Sequence, residues 1–131
     1  MSKVIWIDKG WQPVYVGFCP NKKAWDTEMK KFGVDDPPEY PDSDGRTTIF
    51  VNDKSGDSMI LVTLNYDENR ELLEVIGLIA HEATHVFDYI CEMIGEDEPS
   101  KEFKAYSIQA ITMELLDAWD KTKKKGEVFG R

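Results

Sequence analysis

Between Leu72 and Ile94, apolar side chains recur at Leu72, Val75, Ile76, Ile79, Ala83, Val86, Phe87, Ile90 and Ile94, the three-and-four spacing of one helical face. The pattern predicts a helix over the whole stretch. Asp67, Glu68 and Glu71 suit its start, because side-chain oxygens cap free amides and negative charge complements the helix dipole there. Gly95 is its natural stop. Beyond the turn Glu96-Asp97-Glu98-Pro99, Ser100 serves as N-cap for a second long helix from Lys101 to about Lys123, which carries Phe103, Tyr106, Ala110, Ile111, Met113, Leu115 and Trp119.

Upstream the period changes. Val4-Ile5-Trp6-Ile7 and Val14-Tyr15-Val16-Gly17-Phe18 read as two short strands separated by Lys9-Gly10 and Pro13. After Pro20-Asn21 a helix of about three turns is predicted over Lys22 to Phe32, with Trp25, Met29 and Phe32 as its packing stripe and Gly33 as its end. Asp35 to Gly45, with three prolines, reads as an irregular loop. Thr47 to Asn52 and Ser58 to Asn65 then form a β-hairpin around Lys54-Ser55-Gly56-Asp57. Its second arm, Met59 to Leu64, leads into the long helix; as a sheet edge it would be able to pair with an extended substrate backbone, and otherwise it only covers the core.

These strands and helices predict an α+β fold in one domain, and 131 residues suit one modest core. At 41% hydrophobic and 31% charged residues the chain has a globular composition. No run reaches the length of a membrane span, and Met1-Ser2-Lys3-Val4 lacks a signal-peptide pattern, so no membrane association and a cytoplasmic location are expected. Cys19 and Cys91 lie far apart without a second thiol or histidine beside either, which predicts buried thiols rather than a disulfide or zinc knuckle. A net charge of -9 argues against a nucleic-acid partner. The one basic run, Lys121 to Lys125, suits the C-terminal end of the last helix, and the tail 126–131 is expected to fray.

The candidate chemistry sits within the long helix. His81-Glu82-Ala83-Thr84-His85 contains the only two histidines of the chain, one helical turn apart on one face. Two imidazoles so placed can hold one Zn²⁺, with Glu82 as general base toward a metal-activated water. Such a string also arises in ordinary amphipathic helices, but here the histidines border the apolar stripe beside Leu78, on a flank that a second element would partly bury.

A catalytic zinc site needs a third protein ligand. Asp88 follows on the same helix but would lie about 10 Å along the axis from His81. The metzincin arrangement is absent, since Asp88 and Cys91 stand where its glycine and third histidine belong. The second helix therefore has to supply the ligand. Glu102 in its first turn is the candidate, with Glu114 in reserve and dipole compensation as the competing role for Glu102. Because a helix reaching Ile94 runs about 13 Å past His85, either it ends early or the two helices cross steeply. Tyr106, one turn after Glu102, would donate to the oxyanion, orient Glu102, or pack in the core. Gln109, a further turn along, is a supporting partner or a solvent-exposed amide.

HExxH followed by a glutamate on the next helix resembles the gluzincin branch of the zincin-like metallopeptidases. More narrowly, Ala24-Trp25 with Glu28-Met29, Leu78 to Val86, Ile94-Gly95-Glu96 with Glu98-Pro99-Ser100, and Glu102 to Gln109 resemble a family of small phage- and prophage-encoded metallopeptidases. Thr84 departs from the valine of that pattern. The resemblance implies a minimal zincin-like fold over residues 1–125: a small twisted, mostly antiparallel sheet with an edge strand over the site, packed on the motif helix and a second long helix. It implies His81, His85 and Glu102 as metal ligands and Glu82 as catalytic base, with Zn²⁺ the expected cofactor, although Mn²⁺, Fe²⁺ or Ni²⁺ would also suit such a donor set; Tyr106, from its place one turn after Glu102, is the candidate to assist catalysis. The expected function is a zinc-dependent hydrolase cleaving a peptide bond in a host or phage protein, in a host cytoplasm if phage-encoded. The alternative is a catalytically weak zincin-like protein that binds and modulates a host protein, for which the acidic stretch Glu92 to Glu98 would suit a basic partner.

Overall fold

The computed structural model describes residues 3–8, 10–65 and 70–123. Its elements are β1 (Ile5–Trp6), β2 (Tyr15–Cys19), α1 (Lys22–Phe32), β3 (Gly45–Val51), β4 (Ser58–Leu64), α2 (Leu72–Ile94) and α3 (Lys101–Lys121). The strands form one sheet in the order β1-β2-β4-β3. Its outer pairs, β1 with β2 and β3 with β4, are antiparallel, while β2 and β4 run parallel from Tyr15 opposite Met59 to Cys19 opposite Thr63. The class is α+β and the sheet is mixed.

Helices cover both faces. Val16 and Phe18 of β2 and Ile60, Val62 and Leu64 of β4 pack against Val75, Ile79, Ala83, Val86, Phe87 and Ile90 of α2 and Ile111, Leu115 and Trp119 of α3. The other faces of the same strands, through Cys19, Met59 and Leu61, pack against Ala24, Trp25 and Met29 of α1. A central strand buried on both sides needs a continuous apolar run, and Met59 to Leu64 supplies it. β4 is therefore interior, which overturns its assignment as a possible edge. The edge beside α2 is β3.

Local signals explain the helix ends. The Asn21 side chain accepts from the Ala24 amide at 2.9 Å, and Gly33 at φ 80 closes α1. Gly95 at φ 72 closes α2, and the Ser100 hydroxyl caps α3 at the Phe103 amide. Glu71 occupies the N-cap of α2 without a side-chain cap bond. The other expected caps, Asp67 and Glu68, lie outside the described residues, as do Lys9, Lys124, Lys125 and the tail 126–131. Cys19 and Cys91 are free and buried, and burial pushes the Cys19 thiol up to about 12. Among the described residues no helix is long and apolar enough to cross a membrane.

Gly17 lies directly beneath the side chains of Val4 and Trp6. A Cβ there would stand 2.5 Å from Val4 Cγ1 and 2.8 Å from Trp6 Cε3, because the Trp6 ring lies over β2. Gly17→Ala is expected to lower unfolding free energy by about 1–3 kcal/mol through overpacking, read as a reduced urea midpoint at unchanged slope.

Candidate metal centre

The motif helix brings His81 and His85 together on its solvent side. Their Nε2 atoms lie 3.2 Å apart, with ring centroids 4.9 Å apart and ring planes at 73°. Both residues are exposed, whereas Glu82 and Ala83 turn inward. Two nitrogens at 2.0–2.1 Å from a tetrahedral zinc would be separated by about 3.3 Å. The pair is thus at the bite distance of a shared metal ion.

Glu82 is 3% exposed, and its environment is built by β3. The Thr47 hydroxyl donates to Glu82 Oε1 at 2.8 Å and lies 3.3 Å from the Glu82 carbonyl oxygen. Glu82 Oε2 lies against Gly45, 2.9 Å from the position a Cβ would occupy. Strand alternation places 45 and 47 on the α2 side of the sheet. His81 and Glu82 line a cleft with Asp44, Gly45, Glu74, Gly77 and Leu78, between the start of β3 and the N-terminal half of α2. Arg70 links two of these lining residues, bonding Asp44 at 3.2 Å and lying 3.7 Å from Glu74. The Thr84 hydroxyl bonds back to the Ala80 carbonyl at 3.1 Å, within the helix.

No family model, curated protein or solved structure matches the chain.

Helix α3 carries both carboxylate candidates, Glu102 and Glu114. Among the described residues no three His, Cys, Asp or Glu side chains gather as a metal-holding group, so neither Glu102 nor Glu114 completes one with the histidines. α2 continues unbroken to Ile94, about 13 Å beyond His85, and Glu102 begins α3 on the far side of the turn, exposed to solvent. Phe103 beside it is held between Trp11 and Phe87, at ring-centroid distances of 5.0 and 5.6 Å. Glu114 accepts the Asp8 amide at 3.2 Å, which ties α3 to the β1–β2 connection. Tyr106 is 68% exposed, which removes core packing as its role, and Gln109 is exposed as well. Asp88 is exposed and likewise joins no such group.

Thr47 and Gly45 had not stood out in the sequence. The available signal was their alternation at the start of the hairpin, a position without a side chain followed two residues later by a hydroxyl. Their partner lies 35 residues away, at a separation no local pattern reveals.

Proposed function

We propose that the chain is a zinc-dependent hydrolase, a small zincin-like metallopeptidase, with His81 and His85 holding the ion and Glu82 as general base. The observation that carries this reading is the 3.2 Å separation of the two Nε2 atoms beside the buried carboxylate of Glu82. When bound, Zn²⁺ would supply Lewis acidity and a water acidic enough to be deprotonated near neutral pH. Glu82 would take that proton at Oε2, because Oε1 already accepts from Thr47, and would later deliver it to the leaving amine. Glu102 is the proposed third ligand. It is preferred to Glu114, whose carboxylate is engaged by the Asp8 amide. Exposed on the face of α3 one turn from Glu102, Tyr106 is proposed to steady that carboxylate or donate to the oxyanion.

The border of the cleft supports a peptide as substrate. β3 pairs with β4 on one side only, leaving main-chain groups on its outer edge that an extended peptide of a host or phage protein would pair with. One observation favours a second reading, a zincin-like phage protein that binds a host protein without cleaving it: Glu92, Glu96, Asp97 and Glu98 are all exposed around the turn after α2, an acidic surface suited to a basic partner.

Metal analysis and a digest separate the two. Protein purified without chelator is expected to carry about one Zn²⁺ per chain and to cleave β-casein, with cleavage lost on chelation and restored by zinc. At a free zinc concentration about a hundredfold above Kd the ion should raise Tm by roughly 5–10 °C. Zinc bound without cleavage would favour the second reading, and absence of zinc after reconstitution would remove the metal from both.

A further inference from the structure

The strand that borders the cleft also holds the carboxylate within it. A threonine hydroxyl has one proton to donate. At 2.8 Å from Glu82 Oε1 against 3.3 Å from the Glu82 carbonyl oxygen, that proton belongs to the carboxylate. Thr47 and Glu82 are both buried, so water does not compete for the bond. Gly45 bounds the other oxygen. It is absent from the positive-φ glycines Gly33, Gly56 and Gly95 and lies in a regular strand, so no turn requires it. The close approach does: a Cβ at 45 would meet Glu82 Oε2 at 2.9 Å and Glu82 Cδ at 3.4 Å.

We propose, on the basis of the hydrolase reading, that Thr47 and Gly45 are positioning residues for Glu82. The hydroxyl anchors Oε1, and the missing side chain leaves Oε2 its place in the cleft. The edge strand offered to a peptide is then also the strand that aims the base. Packing alone predicts the opposite order of variants, since valine preserves the shape of Thr47 and serine does not, whereas serine preserves the hydroxyl.

The test uses two successive calorimetric titrations of wild type, Thr47→Val, Thr47→Ser and Gly45→Ala. Zn²⁺ is titrated first, then acetohydroxamic acid into each zinc-loaded protein, as a probe whose acidic proton a well-placed carboxylate accepts. Zinc affinity should stay within about twofold throughout, because the histidine nitrogens are untouched. Thr47→Val, which loses the bond to Oε1, and Gly45→Ala, whose Cβ crowds Oε2, should each misplace the carboxylate and weaken the probe by about tenfold, the size of one hydrogen bond to a charged group. Thr47→Ser should restore it, and in a Glu82→Gln background Thr47→Val should have no further effect. Zinc-loaded Thr47→Val and Gly45→Ala that bind the probe as wild type does would overturn the proposal while leaving the hydrolase reading intact, as would a Thr47→Ser defect as large as that of Thr47→Val. If Thr47→Val does not fold, Gly45→Ala and Thr47→Ser decide by the same criteria. Failure of wild type to bind Zn²⁺ in the first titration overturns the hydrolase reading and the positioning role with it.

Discussion

Glu82→Gln is expected to lose hydrolysis by about 10²–10⁴-fold, the range attributable to a positioned general base, while binding zinc as wild type does. The substitution suits this site. Glutamine preserves the shape of a side chain that is 3% exposed, and its amide oxygen can accept from Thr47 as Oε1 does. That orientation turns the amide nitrogen toward Gly45 and the cleft, where it has no lone pair available to take a proton. Glu82→Ala would be a poorer test, because it leaves the buried Thr47 hydroxyl without its carboxylate and mixes stability with chemistry. Cleavage of β-casein at matched zinc content is the measurement. A Glu82→Gln protein retaining more than about a tenth of wild-type activity would place the base elsewhere.

How far the fold could be read ahead of the structure depended on the range of the interaction concerned. α1, α2 and the start of α3 fall where periodicity and the caps Asn21, Gly33, Gly95 and Ser100 place them, because each signal acts within one or two turns. Sheet order was not legible in this way. The parallel pairing of β2 with β4 joins residues more than 40 positions apart, and it makes β3 the edge instead of β4. The histidine pair was legible because an i,i+4 spacing fixes its geometry within one helix. The third ligand depends on how α2 and α3 meet, a contact between helices that no local pattern encodes, and α2 runs unbroken to Ile94 before the turn into α3. Tyr106 and Met113 show the same limit on α3, since apolar content places them near the stripe whereas the packing leaves them 68% and 62% exposed.

The hierarchy of metal ligands is the other large effect expected. His81→Ala and His85→Ala should each weaken zinc by on the order of 10²–10³-fold, taking structural-site binding of about 10–16 kcal/mol as shared among three or four ligands. The two should be nearly equal, because each removes one member of the 3.2 Å nitrogen pair and leaves a single exposed imidazole. Both variants should keep the fold, since neither ring belongs to the core clusters. The carboxylates are expected to divide. Glu102→Ala should weaken zinc as a lost third ligand would, which requires its side chain to come to the histidines when the ion binds. Glu114→Ala should leave zinc affinity unchanged and lower stability by less than about 1 kcal/mol, because it removes one solvent-exposed bond to the Asp8 amide. Competition titration against a chelating dye measures all four variants on one scale. If Glu102→Ala binds zinc as wild type does while either histidine variant does not, the ion is held by the histidine pair and solvent, and α3 has no part in the centre.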